Sequence, residues 1–201
     1  RRHIYTHGHH ESVLRSHNRR SVDDSAGYLV PYLRPDATLL DIGAGPGSIT
    51  VDFATRVAEV TATEIGEAEL DLSRRLAAER GITNIAFAVE DVHRLSFPDD
   101  SFDIVHAHQV LQHVADPVAA LREMARVVRP GGVVAVRDAD YAAFSWFPLL
   151  PELDEWLRLY RAAARANGGE PDAGRRLLAW AHAAGLHDAH PGVSAWLYAT
   201  P

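Results

Sequence analysis

The run Asp41-Ile42-Gly43-Ala44-Gly45-Pro46-Gly47 sets three glycines at alternate positions directly after an apolar stretch. Glycine lets a backbone turn sharply and approach a ligand closely, and a helix opening near Ser48 would add unpaired N–H groups at the same place. Nucleotide, flavin and nicotinamide sites share such a loop, and so do plain tight turns. Glu64 lies 21 positions after Gly43, at the end of Val60-Thr61-Ala62-Thr63. There a carboxylate can accept hydrogen bonds from both ribose hydroxyls of an adenosine-containing ligand. Glu90-Asp91-Val92 closes another apolar run and puts a further carboxylate within reach of an adenine amino group. Each acid alone also reads as a solvated or capping side chain; the conjunction points to a ligand.

Groups able to move a proton recur at the ends of similar runs. His108 and His113 follow the fourth, Asp138 and Asp140 follow the fifth with Tyr141 beside them, and Tyr5, His9 and His10 precede the first. Twelve histidines cannot all be catalytic, so for each a hydrogen-bonded structural imidazole is the competing reading. His113, His108, Asp140 and Tyr5 are the candidates carried forward. His3, His7, His9 and His10 have imidazole spacing compatible with a metal, yet the chain holds no cysteine and the nearest acid is Glu11. No metal is expected; a mobile lid suits these residues better. Four aromatic rings crowd Tyr141-Ala142-Ala143-Phe144-Ser145-Trp146-Phe147-Pro148. They read either as an apolar acceptor wall or as packing beneath the following helix, whose Leu153, Trp156, Leu157 and Tyr160 form one face.

The elements that must position these groups alternate between short β-branched runs and longer helical segments, the pattern of a parallel α/β sheet. Strands are expected at Thr38–Ile42, Glu59–Thr63, Ile85–Glu90, Phe102–Ala107 and Val133–Arg137, with a sixth at Val193–Ala199. They are apolar on both faces, which suits a sheet covered by helices on each side, an open three-layer sandwich. Helices are expected from near Ser48, at Leu70–Arg80 before Gly81, at Val118–Val128 behind Asp116-Pro117, at Pro151–Asn167 and at Asp172–Ala184. Pro130-Gly131-Gly132 should turn the chain into the fifth strand. Ser21-Val22-Asp23-Asp24 reads as a capping box opening a helix to about Leu33, broken by Arg34-Pro35-Asp36. Residues 1–34 are therefore expected to form an N-terminal helical lid on a single core domain, 35–201.

At 201 residues, 47% hydrophobic and 23% charged, the chain can bury one sizeable core. Twenty Lys and Arg against 27 Asp and Glu leave a net charge of -7, the wrong sign for a polyanion as main partner, so no nucleic acid is expected. Without cysteine there are no disulfides or thiolate metal sites. No apolar run nears the roughly 20 residues that span a bilayer, so no membrane partner and a cytoplasmic location are the expectation. Oligomeric state is not legible. Both ends read as cut, at Arg1 and at Pro201 just after the sixth strand.

Asp-x-Gly-x-Gly-x-Gly, an acid closing strand two, an acid after strand three, and Phe102-Asp103-Ile104-Val105-His106-Ala107-His108-Gln109-Val110-Leu111-Gln112-His113 followed by Arg129-Pro130-Gly131-Gly132 together resemble the class I S-adenosylmethionine-dependent methyltransferases. Within them the chain is most similar to the ubiquinone and menaquinone biosynthesis branch, over roughly residues 25 to 140. The resemblance implies a Rossmann-like fold of seven strands with the last antiparallel; with six visible, a missing C-terminal segment or an altered edge is expected. It implies S-adenosyl-L-methionine as cofactor. Asp41, Gly43, Ala44, Gly45 and Gly47 would hold or orient its methionine end, Glu64 and Ile65 the ribose side, Asp91 and Val92 the adenine, with His108 and Gln109 near the sulfonium. The function so implied is methyl transfer to a small apolar or aromatic molecule by in-line displacement. A nicotinamide-dependent oxidoreductase would more often show Gly-x-Gly-x-x-Gly, from which Gly43, Gly45 and Gly47 depart. A non-catalytic S-adenosylmethionine-binding module and an RNA methyltransferase are the other readings; the acidic balance disfavours the last.

Overall fold

The computed structural model describes residues 20–198. Five strands, β1 (Thr38–Ile42), β2 (Glu59–Glu64), β3 (Ile85–Val89), β4 (Phe102–His108) and β5 (Val128–Arg137), form one parallel sheet in the order β3-β2-β1-β4-β5. The chain winds outward from β1 to β3 and then returns to lay β4 against the other side of β1. Connections leaving β1 and β4 therefore diverge, and a crevice opens between their carboxyl ends, where open α/β sheets take ligands.

Alternation along each strand feeds two cores. Leu39, Val60 and Ile104 face Phe53, which lies on α2 (Ser48–Ala54), while Leu40, Val105 and Ala107 face Leu121, Met124 and Val127 on α4 (Pro117–Val127). Burying each such side chain contributes about 1.5–3 kcal/mol. Helix α4 starts where its sequence says it should: the Asp116 carboxylate accepts from Ala119 N at 2.9 Å and Pro117 occupies the first turn. Helix α3 (Glu67–Glu79) stops at Gly81, whose φ of 66° closes the turn. Helices α5 (Pro151–Ala166) and α6 (Leu177–Ala183) follow the sheet. No helix among the described residues is long and apolar enough to cross a membrane.

Four expectations need correction. The capping box at Ser21 is present, but it opens only one turn, α1 (Val22–Ser25), followed by a 3-10 segment at Gly27–Tyr32 rather than a helix to Leu33. Gly27 weakens the α-helix and Pro31 removes a donor and disfavours α geometry at Val30. Val22, Ala26 and Leu29 of this segment are fully buried against α2, so it belongs to the core. Strand β5 begins at Val128, not Val133: Val128 pairs with Phe102, the register shifts, and Val133 pairs with Ile104, leaving Arg129-Pro130-Gly131-Gly132 as a bulge. The expected helix from Asp172 divides into a 3-10 turn at Gly174–Arg176 and α6. The sixth strand is absent from the described residues: Val193–Tyr198 is irregular and mostly exposed, while Ala199 lies outside them. Tyr5 and the four histidines His3, His7, His9 and His10 also lie outside the described residues.

Candidate active site

The glycine loop leaves β1 at the switch point, with Gly43, Gly45 and Gly47 at φ of 70°, 56° and 88°. A Cβ in that region costs about 1–2 kcal/mol per residue before any contact is made. Gly43 N and Ala44 N both donate to Thr63 O, at 2.9 and 3.1 Å, which ties the loop to the end of β2. A Cβ on Gly43 would sit 2.5 Å from Val110 Cγ2, and one on Gly47 would lie 2.8 Å from the Ser73 Cα of α3. A Cβ on Gly45 would meet nothing within 4 Å. Two glycines thus let protein elements close on the loop, and the middle one faces open space.

Beneath the loop, Asp41 is 3% exposed and both of its oxygens are engaged within the protein. Thr50, on α2, donates its hydroxyl to Oδ2 at 2.5 Å, and His106 Nδ1 of β4 lies 2.8 Å from Oδ1. Asp41 thereby bolts β1, α2 and β4 together at the loop's root. His106, fully buried, packs edge-on to Phe53. His106 belongs to the strand-four block of the sequence, but nothing in its spacing to Asp41 signals a contact across 65 residues.

Glu64 stands at the end of β2, as its position predicts. Its Oε1 accepts from Gly45 N at 2.7 Å and Oε2 from Ile65 N at 3.3 Å, so two of its four acceptor positions are taken by backbone. Burial pushes its pKa up, opposed by those two N–H groups. Ile65 is 57% exposed beside it, an apolar face open to solvent. Glu90 is occupied by Ser96, through backbone N and hydroxyl. Asp91 is exposed at the carboxyl end of β3 and holds His93 through backbone N at 2.9 Å and ring Nδ1 at 2.8 Å. Val92 is turned into the core around Leu40 and Leu95.

The exit of β4 carries the next group. Gln109 adopts φ 57°, uncommon for a side-chain-bearing residue, with its N–H donating to Arg137 O at 2.7 Å and its Oε1 accepting from Arg20 at 3.2 Å. The His108 ring is buried, 6.4 Å from His106 and 5.9 Å from Trp196. His113 sits on a 3-10 turn, its Nε2 3.0 Å from Gln112 Nε2. Of the two acids after β5, Asp140 is ion-paired with Arg175 Nε at 2.8 and 3.0 Å. Asp138 differs. Its Oδ1 accepts from Gln112 N at 2.9 Å, while Oδ2 is sealed from solvent with no hydrogen-bond partner among the described residues, although the residue as a whole is partly exposed. Burial pushes its pKa up to about 7, against the pull of the Gln112 and Leu111 N–H groups.

Of the aromatic stretch, Tyr141 is buried and packs on Phe144 at 4.5 Å and on Tyr160 of α5 at 4.3 Å, so its inner part serves as packing beneath the helix. Phe147 is 95% exposed. An aromatic the sequence reading assigned to a strand, Trp196, instead lies over the sheet edge: Arg137 Cζ is 4.3 Å and Arg20 Cζ 5.0 Å from its ring centroid. Among the described residues no group of three His, Cys, Asp or Glu is placed to hold a metal.

A methyltransferase domain model matches residues 40–136, the stretch from β1 to β5 that contains the loop, Glu64 and Asp91. An uncharacterized methyltransferase of Schizosaccharomyces pombe is 36% identical over 208 residues, spanning 97% of this chain and 73% of the relative. A ubiquinone/menaquinone biosynthesis C-methyltransferase of Vibrio parahaemolyticus is 32% identical over 69% of this chain; the chain spans only 60% of that relative. A crystal structure of a SAM dependent methyltransferase from Aquifex aeolicus superposes with a TM-score of 0.60 at 19% identity, covering 78% of this chain and 88% of that one. The matched stretch contains the crevice between β1 and β4 with its glycine loop and Glu64, and the chain belongs to the methyltransferases, on a Rossmann-like fold.

Proposed function

We propose that the chain transfers the methyl group of S-adenosylmethionine to a small acceptor of apolar or aromatic character. The observation that carries the cofactor's placement is the open face of Gly45 next to a Glu64 carboxylate with acceptor capacity to spare. Those residues fit the group: the loop leaves room for the methionine end, Glu64 can take two ribose hydroxyl donors, and Ile65 offers an apolar platform to the adenine beside Asp91. The cofactor would supply an electrophilic methyl on a sulfonium: an acceptor bonds to that carbon as the carbon–sulfur bond breaks, and S-adenosylhomocysteine leaves as a neutral thioether. The chain's own work is to orient and to exclude water. Asp41 is a positioning residue that acts through the loop. His108 and Gln109 stand between the cofactor half of the edge, at β1 to β3, and the free half at β4 and β5. Where the acceptor must lose a proton, Asp138 is a better matched base than Asp140, because a pKa near neutrality suits proton transfer and its carboxylate is not ion-paired. His113 is the second candidate. Val22, Ala26 and Leu29 are built into the core, so the segment that carries them is no mobile lid.

Glu64→Ala is expected to weaken binding of S-adenosylhomocysteine by about 1–3 kcal/mol, roughly five-fold to more than a hundred-fold, measured by isothermal titration calorimetry. Unchanged affinity would remove Glu64 from the site, and binding of NADH in place of S-adenosylhomocysteine would overturn the cofactor reading.

A further inference from the structure

Arg137 closes β5 in register with His108 of β4, on the sheet face that also carries Asp41 and His106. Its Nη1 is shut off from solvent and has no hydrogen-bond partner among the described residues. No carboxylate among the described residues bonds that nitrogen: Asp24 takes Ser21 N and Ser25 Oγ on Oδ1, Asp41 is held by Thr50 and His106, and Asp138 Oδ1 accepts from Gln112 N. What Arg137 touches is the face of Trp196, 4.3 Å from Cζ to ring centroid, and the Trp196 Nε1 donates to Asp24 O at 3.4 Å.

A guanidinium stacked on an indole uses its flat face and keeps its N–H edge for a planar, two-oxygen partner. Leaving that edge unmatched in a partly desolvated position is costly, so a cation kept there needs an anion that arrives from outside. The cofactor residues occupy the carboxyl ends of β1, β2 and β3, which leaves the acceptor the ends of β4 and β5, where Arg137 stands. We propose that Arg137 forms a carboxylate subsite, and that the methyl acceptor is an acid whose carboxylate pairs with the guanidinium edge while Trp196 holds its face. This rests on the methyltransferase reading above and narrows its acceptor from an apolar or aromatic molecule to an aromatic or apolar acid.

The test uses the full chain saturated with S-adenosylhomocysteine, with benzoate as probe and benzamide as its neutral counterpart, followed by calorimetry and by Trp fluorescence. Benzoate is expected to bind at least ten-fold more tightly than benzamide. Arg137→Met should abolish that preference while changing the affinity for S-adenosylhomocysteine less than two-fold. Arg137→Lys, which keeps the charge without the fork and guards against misfolding of the neutral variant, should retain part of it. No preference for benzoate, or a preference that survives in Arg137→Met, overturns the subsite with the cofactor reading intact. A ten-fold loss of S-adenosylhomocysteine affinity in Arg137→Met also overturns it, because the guanidinium would then hold the cofactor's own carboxylate. Failure of the unaltered protein to bind S-adenosylhomocysteine overturns the cofactor reading and the subsite with it.

Discussion

Asp41→Ala is expected to lower the free energy of unfolding by about 3–5 kcal/mol, the cost of breaking a buried charged or hydrogen-bonded pair by removing one partner. The Thr50 hydroxyl and His106 Nδ1 would both lose their partner in a region where Asp41 is 3% exposed and His106 is fully buried. Against a typical domain stability of about 5–15 kcal/mol, that loss should be obvious as a lower urea midpoint at unchanged slope. Asp41→Asn, which keeps an acceptor and the volume, should lose less. Because the same carboxylate anchors the root of the glycine loop, S-adenosylhomocysteine affinity should fall in both variants even under conditions where they remain folded. A loss below about 1 kcal/mol in Asp41→Ala would mean that Thr50 and His106 re-pair locally, and the anchor would then be dispensable.

The second large effect is a dependence of stability on pH that runs against the usual direction for acids. Asp138 has a pKa of about 7 in the folded chain and 3.8 as its ordinary value. Between those limits the native state keeps a proton that the unfolded chain releases. Stability therefore falls as pH rises through that window and levels off above it, by up to about 4 kcal/mol for a shift of this size. The raised Glu64 carboxyl contributes in the same sense. Asp138→Asn isolates the Asp138 share: its side-chain oxygen can still accept from Gln112 N, and the amide does not titrate. Urea unfolding at pH 4.5, 6 and 7.5 should show a flatter profile for this variant than for the parent. Parallel profiles would show that Asp138 is ionised throughout, and its suitability as a base poised near neutrality would go with that.

Both effects, and the subsite at Arg137, arise at contacts between residues far apart in the chain. That separation marks how far the sequence could be read. Strand β1 and the two strands beside it were legible because their β-branched runs are short, punctuated and apolar on both faces. Asp116-Pro117 and Gly81 bounded two helices because capping and turn chemistry are local. Glycines 43, 45 and 47 and the acid at Glu64 were legible for the same reason: spacing along one strand-loop-helix unit sets their geometry. The carboxyl edge of a parallel sheet then follows from the alternation of strand and helix.

Elsewhere local signals were outweighed. The helix expected to Leu33 gave way to a 3-10 turn, as Gly27 and Pro31 oppose the α conformation and burial of Leu29 against Phe53 rewards the tighter path. Val193–Tyr198 looks like a strand by composition, but Trp196 finds two guanidinium faces and a carbonyl over the sheet edge, and the segment stays irregular. Asp138 and Asp140 are two residues apart and chemically equal in the sequence. Only the fold seals one oxygen of Asp138 from solvent and hands Asp140 to Arg175. The sequence by itself determined the sheet, the glycine loop and the acid that faces it, since those depend on neighbours within a few tens of residues. Tertiary structure alone decided that Asp41 is an anchor held by His106, that one oxygen of Asp138 is sealed from solvent, and that Arg137 Nη1 has no hydrogen-bond partner among the described residues. Those states are set by desolvation and by partners brought from other strands.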